Sequence, residues 1–243
     1  MSSDRRTAVV AGLLFLVTEI AAMAGLVLYS PVLGGADYVV TSGADTRVFL
    51  GALCEVVLAV AAVGTGVTLF PVVKRQNEGI ALGYVCGRLL EAALILVGIV
   101  SVLSVVTLRQ DLAGAAGTDA AGFVAADKSL VAMHDWTFLL GPNVALGLNT
   151  VLLAYLMYRS ALVPRFIAVL GLVGGPVICA SAVAVMFGLY EQVSVPGSAA
   201  ALPVFAWEVT LAVRLLAKGF KPSPLTSGGA GAGAGVLVAH GVS

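Results

Sequence analysis

Six long apolar runs dominate this chain, and they restrict its fold more than any other feature. They are Ala8–Tyr29, Val48–Pro71, Ile80–Leu108, Leu130–Tyr158, Phe166–Tyr190 and Ala199–Ala217. About 20 apolar residues in a helix cross the ~30 Å hydrocarbon core of a bilayer. The runs are continuous rather than alternating, and they are too long for barrel strands. Only 11% of the residues are charged, against roughly 25% in soluble domains. We therefore predict an all-α membrane protein with a six-transmembrane-helix bundle.

The loops between the runs predict the orientation of the bundle. If both termini are cytoplasmic, the cytoplasmic segments hold Arg5, Arg6, Lys74, Arg75, Arg159, Arg165, Arg214, Lys218 and Lys221. The opposite segments then hold only Arg47, Arg109 and Lys128. Because basic residues concentrate on the cytoplasmic side, this distribution predicts cytoplasmic N and C termini.

The domain organisation follows from the same runs. We predict a cytoplasmic tail over residues 1–7, a transmembrane domain over 8–222 and a flexible Gly/Ala-rich tail over 223–243, which contains SGGAGAGAG. The first run is longer than the apolar region of a signal peptide and contains Glu19, so we expect it to be retained as a helix. The longest predicted connection lies between Arg109 and Lys128.

Ionisable residues inside the runs are the main candidates for a functional site. Glu19, Glu55, Glu91 and Glu208 fall within predicted helices, and Arg88 is the one basic residue at comparable depth. A charge at the bilayer centre costs about 2.5–3.5 kcal/mol on insertion scales. One arginine does not neutralise four carboxylates, so either most of the acids are protonated or they face a wet or ligand-filled cavity. Both interpretations place a polar site within the membrane.

Helical spacing indicates where some of these side chains point. Glu55 lies on a stripe of small residues that includes Gly51, Ala59 and Gly66, so it is expected to face another helix. Arg88 and Glu91 are three residues apart, which permits an ion pair within one helix. The alternative is that Arg88 binds an acid on another helix or an anionic ligand.

Further candidates cluster in the fourth and sixth runs. Asp135 and Trp207, with the acids and Arg88, complete the primary set of predicted ligand-binding or proton-binding residues. Pro142 is expected to kink the fourth helix and free a backbone carbonyl. Trp207, beside Glu208, is deep enough in its helix to line a pocket. The secondary candidates are Tyr84, His134, Trp136, Asn143 and Asn149.

Several classes of function lack support in the sequence. Cys54, Cys86 and Cys179 all fall within the apolar runs and share no metal-binding spacing, so no metal site and no cofactor are predicted. The formal net charge is zero, which leaves no electrostatic footprint for nucleic acid. The chain has no nucleophile elbow, zinc-protease motif or phosphate-binding loop.

Several strings in order along the chain carry a family resemblance. They are LFPVVKRQNEG within Gly66–Tyr84, LSVVTLRQ at Leu103–Gln110, HDWTFLLGP at His134–Pro142, GLVGGP at Gly171–Pro176 and AWEVTLAVRLLAKGFKP at Ala206–Pro222. Over roughly residues 8–222 the chain resembles a bacterial integral-membrane family known only as domain of unknown function 4386. The resemblance implies a six-helix protein of the bacterial inner membrane, and it implies no activity, substrate or catalytic residue.

Three hypotheses for function remain open at this point. The first is proton-coupled transport or binding of a small ligand, because intramembrane acids often form proton relays and substrate paths. Six spans are few for a secondary carrier, so this hypothesis includes a homo-oligomer. The second is an intramembrane enzyme that uses a protonated Glu as a general acid on a lipid or isoprenoid-like substrate. The third is a non-catalytic sensor or assembly protein. The lipid bilayer is the expected surrounding in all three.

Overall fold

The computed structural model describes residues 2–34, 38–41, 44–114, 120–223 and 225, and this part of the chain is helical with no strand. Six of its helical segments are long and apolar enough to cross a membrane, as the sequence predicts. The helices are α1 (Ser3–Leu28), α2 (Ser30–Leu33), α3 (Tyr38–Thr41), α4 (Asp45–Val73), α5 (Glu78–Gly114), α6 (Ala120–Leu139), α7 (Leu146–Ser160), α8 (Arg165–Met186) and α9 (Val195–Lys218).

Several helix boundaries differ from the prediction. Helix α5 continues to Gly114 and α6 begins at Ala120, so most of the predicted Arg109–Lys128 connection is helical. An apolar run marks only the part of a helix that lies in hydrocarbon, whereas alanine-rich polar sequence such as AAGFVAADKS extends the helix beyond it. The fifth span ends earlier than predicted, at Met186 rather than Tyr190. Of the predicted tail over 223–243, all but Ser223 and Leu225 lie outside the described residues.

The fourth span contains a π-helical segment, Leu140–Ala145, between α6 and α7. Pro142 lies inside it and has no backbone N–H, so the carbonyl of Phe138 loses its usual intrahelical donor. That carbonyl instead accepts a hydrogen bond from Gln192 Nε2, at 3.2 Å, in the connection between α8 and α9. The predicted distortion at Pro142 is therefore present, and a side chain from another part of the chain satisfies the freed carbonyl.

The six spans pack as a closed ring. Helix α1 contacts α4, α4 contacts α5, α5 contacts the α6–α7 span, α7 contacts α8, α8 contacts α9, and α9 returns to α1. Between α7 and α8 the backbones approach closely, because a Cβ on Gly147 would lie 2.9 Å from the carbonyl oxygen of Gly175. Such contacts between small residues replace the hydrophobic effect as a source of helix association in lipid.

The two ends of the ring differ in packing. We call the end at which α1 begins and α9 finishes the N-terminal end, and the opposite end the far end. The N-terminal end is filled by a buried apolar cluster that includes Phe15, Tyr84, Leu153, Trp207 and Leu211. The cluster at the far end draws on the chain from α1 to α5 and leaves out α8 and α9. Because α8 and α9 contribute nothing to the cluster at the far end, the centre of the ring is less densely filled there.

Candidate functional site

A cavity of about 210 Å³ lies inside the ring, and five of the six spans contribute to its wall. All four of the predicted intramembrane glutamates line it, together with Arg88. The polar side chains on the wall are Thr18, Glu19, Glu55, Arg88, Glu91, His134, Thr137 and Glu208. Residues that are separated by up to 190 positions in the chain (Thr18 and Glu208) thus meet at one place.

Arg88 of α5 is the centre of a buried ion-pair network. Its Nη1 lies 3.1 Å from Glu91 Oε2 on the same helix, and its Nη2 lies 2.7 Å from Glu208 Oε1 on α9. The sequence left open whether Arg88 pairs locally or with another helix, and the structure contains both pairs. A planar guanidinium suits this arrangement because its nitrogens donate in different directions. Arg88 therefore joins α5 to α9 through two carboxylates.

A shell of neutral groups holds this network in place. Arg88 Nε donates to the hydroxyl of Tyr84 at 3.4 Å, and that hydroxyl donates to Thr65 Oγ1 at 3.2 Å. Asn149 of α7 donates from Nδ2 to Glu91 Oε2 at 2.9 Å. The guanidinium also lies over the rings of Phe15 and Tyr84, with distances to the ring centroids of 5.5 and 5.7 Å. Tyr84 and Asn149, two secondary candidates, thus hold Arg88 and Glu91 in place through hydrogen bonds.

Glu19 of α1 completes the inner part of the cavity. Its carboxyl lies near that of Glu208 and near the charge of Arg88. No lysine or arginine nitrogen of the described chain lies within 4.0 Å of Glu19. Two adjacent carboxyls repel when both are ionised, whereas one proton between them forms a hydrogen bond. The Glu19–Glu208 pair is therefore suited to hold a proton.

Glu55 and His134 form the outer part of the cavity, toward the far end. Glu55 of α4 is 8% exposed, lies beside Tyr29 and experiences the charge state of His134. The His134 ring stacks on Phe138 and meets Tyr29 edge-on, with centroid distances of 6.0 and 5.7 Å. Its Nδ1 lies 3.4 Å from Asp135 Oδ1, whereas its Nε2 is buried with no hydrogen-bond partner among the described residues.

Other predicted residues lie outside the cavity wall. Trp207 is fully buried in the apolar cluster of the N-terminal end, where it packs against Gly171 of α8. One residue of separation on a helix turns a side chain by about 100°, which is why Trp207 and Glu208 face different surroundings. Asn143 is partly buried in the π-helical segment, and its carbonyl faces Cys179.

A second cavity of about 780 Å³ lies toward the far end, and we call it the vestibule. Asp135 and Trp136 lie on its wall with Tyr190 and Glu191, and Trp136 is 51% exposed. Leu26, His134 and Phe138 line both the vestibule and the inner cavity. These three side chains therefore form the partition between the two spaces.

Three residues with a hydroxyl group, at or beside the cavity, were not among the sequence candidates. Thr18 and Thr137 line the inner cavity, and Tyr29 packs against both Glu55 and His134. Thr18 is adjacent to Glu19, and Thr137 is one helical turn from His134, so proximity along a helix was the available signal. Tyr29 had no such signal because its neighbours in the site come from α4 and α6.

The comparisons with known proteins give one match. No curated protein and no solved structure matches the chain. Residues 10–219 match a family described as "Domain of unknown function (DUF4386)", which spans α1 to α9 and every residue of the cavity wall. The chain therefore belongs to this family of unknown function, as the strings shared along its length predict.

Proposed function

We propose that this protein transports a small molecule across the membrane in exchange for protons, and that both bind in the inner cavity. The observation that supports the proposal is the convergence of Glu19, Glu55, Arg88, Glu91 and Glu208 on one cavity. Buried ionisable residues in membrane proteins typically face substrate or ion paths. The ring packing makes this space the centre of the bundle.

A purely structural role accounts poorly for two of these acids. Hydrogen bonds between membrane helices contribute only about 0.6 kcal/mol on average in a well-studied bundle. Glu91 and Glu208 are held by Arg88, but Glu19 and Glu55 form no ion pair within the described chain. A charged side chain at the centre of the membrane costs about 2.5–3.5 kcal/mol on insertion scales. Glu19 and Glu55 therefore suggest a role beyond helix pairing.

The charges of the site favour an exchange of protons. Four carboxyls and one guanidinium would carry a formal charge of −3 if every group were ionised. Such a charge is not stable in a low-dielectric interior without counter-ions. Protons on Glu19 and Glu55 reduce this charge to −1 when the site is empty, and a bound ligand can replace them. This competition is the physical basis of coupling.

The unequal ends of the bundle support transport rather than simple storage. The inner cavity adjoins the vestibule at Leu26, His134 and Phe138, which line both spaces. Toward the N-terminal end it meets the packed apolar cluster that contains Phe15 and Trp207. A site that is accessible from one side and closed on the other is what alternating access requires.

Reconstituted protein provides the test. The full chain is placed in liposomes that contain a trapped pH-sensitive dye, and a panel of cationic, anionic, zwitterionic and neutral metabolites is added outside. We expect at least one solute class to change the internal pH faster than in protein-free liposomes. Glu19→Gln and Glu55→Gln should each reduce that rate at least tenfold, because each removes a proton-binding carboxyl.

Glu78→Gln is the matched control, because Glu78 is exposed at the start of α5 and does not line the cavity. Its rate should equal that of the wild type. Size-exclusion profiles and thermal unfolding establish that each variant is folded. A panel in which no solute class changes the pH, or in which both cavity variants retain the wild-type rate, would refute the proposal.

A further inference from the structure

We infer that the ligand of the inner cavity is a small organic cation that carries ammonium N–H donors on an apolar body. This inference rests on the proposed function, and it names the class of substrate. The hydrogen-bonding pattern of the site excludes more classes of ligand than its charge does. The hydroxyl of Tyr29 lies beside Glu55, which can accept its proton in a hydrogen bond. The other polar groups on the described wall that lack strong partners are Glu19, Glu55 and the ring of His134. The two carboxyls become acceptors when they lose their protons, and a ligand that fills the cavity must then supply the donors.

The threonine hydroxyl groups on the wall already donate their protons to backbone carbonyls. Thr18 Oγ1 donates to the carbonyl of Phe15 at 2.7 Å, and Thr137 Oγ1 donates to the carbonyl of His134 at 2.9 Å. Both bonds are within a single helix turn. A hydroxyl has only one proton, so each threonine presents only lone pairs to the cavity.

Arg88, the one permanent cation on the described wall, already donates hydrogen bonds to protein groups. Each of the three nitrogens of the Arg88 guanidinium donates to a protein group, namely Glu91, Glu208 and Tyr84. The guanidinium carries one positive charge and already faces two carboxylates, so an anionic ligand beside it would add a third negative charge to the buried site. That arrangement is unfavourable, because a buried charge without a partner of opposite sign is costly.

The unpartnered ring nitrogen of His134 is an independent indication of the same ligand class. The side chain is 3% exposed and lies on the cavity wall, and its Nε2 is buried with no partner among the described residues. In the neutral ring, the Asp135 carboxylate beside Nδ1 favours the tautomer with the proton on Nδ1, which leaves Nε2 as an acceptor. A buried acceptor without a donor is costly, so Nε2 is suited to an N–H of the ligand.

The remainder of the wall is apolar and sets the shape of the ligand. Leu58, Ile95, Phe138 and Leu146 surround the polar groups. A volume of about 210 Å³ accommodates a small molecule, not a lipid with full acyl chains. An alkyl or aryl amine fits this combination, since its ammonium group meets Glu19, Glu55 and His134 while its hydrocarbon part contacts the apolar wall.

Binding of such a cation releases a proton from the site. The protonated carboxyl of Glu19 or Glu55 loses its proton to solvent, and the carboxylate that forms pairs with the ammonium group, so the net charge of the cavity is unchanged. The groups that face this event are Glu19 from α1 and Tyr29 directly after it, Glu55 from α4, Arg88 and Glu91 from α5, His134 from α6 and Glu208 from α9. One proton from Glu19 or Glu55 leaves for each monovalent cation that binds.

The experiment compares three ligands with one hydrocarbon body. Phenethylammonium, 3-phenylpropanoate and 3-phenylpropanamide are titrated calorimetrically into the full chain in lipid nanodiscs. We expect only the ammonium compound to bind, with release of at least one proton, which is counted from the heats in two buffers of different ionisation enthalpy. Its affinity should rise about tenfold per pH unit for each proton released, over the range in which the amine stays charged.

Variants localise the binding event. Glu55→Gln and Glu19→Gln should each weaken binding of phenethylammonium at least tenfold, whereas Glu78→Gln should bind as the wild type does. The pH dependence of the unmodified protein keeps the test valid if a variant fails to fold. Tighter binding of the propanoate or the propanamide, binding of the amine without proton release, or no binding of any of the three would overturn the inference. Solute-driven proton movement by another class of metabolite would leave the proposed function standing, so the two failures are distinguishable.

Discussion

At the scale of single residues, the site depends on how closely the side chains around Arg88 are fitted. Gly87 illustrates this, because the space that its missing side chain leaves is occupied by Asn149 Oδ1. A Cβ at position 87 would lie 1.8 Å from that atom. Asn149 is fully buried and donates to Glu91, so it has little room to move. The glycine therefore belongs to the support of the ion-pair network.

Gly87→Ala should destabilise the protein by about 1–3 kcal/mol, because it forces Asn149 away from Glu91. Gly83→Ala, one turn earlier on α5, is the matched control, since its Cβ would lie 3.6 Å from Leu152 Cδ1 in ordinary contact. The control should be neutral or should stabilise by up to about 1 kcal/mol through helix propensity. Thermal unfolding in nanodiscs measures both. Equal melting temperatures for the two variants would contradict the role given to Gly87.

At the scale of elements, the fourth span combines a distortion with its compensation. The backbone N–H of Leu146 donates to the carbonyl of Gly141, five residues earlier, which is the π-helical pattern. His134 and Thr137, which precede the π-helical segment, line the cavity, and Asn149, which follows it, donates to Glu91. Gln192 joins the α8–α9 connection to the fourth span by donating a hydrogen bond to the carbonyl of Phe138.

A double-mutant cycle tests whether Pro142 creates the need for Gln192. In the wild type, Gln192→Ala should cost about 0.5–1.5 kcal/mol, the usual net value of one hydrogen bond. In a Pro142→Ala background the new backbone N–H can satisfy Phe138, so the same change should cost nearly nothing. The free energy of unfolding of the four proteins gives the coupling. An equal cost in both backgrounds would mean that Gln192 acts elsewhere.

At the scale of the whole molecule, the bundle has a direction that its loops encode. The N-terminal end carries most of the basic residues of the connections, which predicts that it lies in the cytoplasm. The vestibule then opens away from the cytoplasm, and the packed apolar cluster faces it. Under the proposed function, the conformation described is one in which ligand is admitted from the outer side.

Cysteine labelling on intact cells checks this orientation. In a background where Cys54, Cys86 and Cys179 are replaced by alanine, Val195→Cys places an exposed thiol at the far end and Ser3→Cys places one at the N-terminal end. A membrane-impermeant maleimide should label Val195→Cys in intact cells and Ser3→Cys only after permeabilisation. The reverse pattern would place the termini outside and would invert the direction of access.

The sequence by itself determined the class of the molecule. Long apolar runs predict membrane helices because hydrocarbon leaves no partner for unpaired backbone groups, and this requirement is local to each run. The six spans, the distortion at Pro142 and the Arg88–Glu91 pair all follow from neighbours along the chain. Apolar runs do not report helix that continues into water, which is why the ends of α5 and α6 were missed.

Only the tertiary structure decided which polar residues share a site. Glu208 meets Arg88 across 120 positions of the chain, and Asn149 meets Glu91 across 58. The side of each helix that faces the centre depends on contacts between small residues of neighbouring helices, and one sequence does not specify which pairs of helices make them. Trp207 and Glu208, adjacent in sequence, are thereby divided between an apolar core and the cavity. The acceptor-rich wall is likewise a property of the assembled ring, because each helix supplies only one or two of its groups.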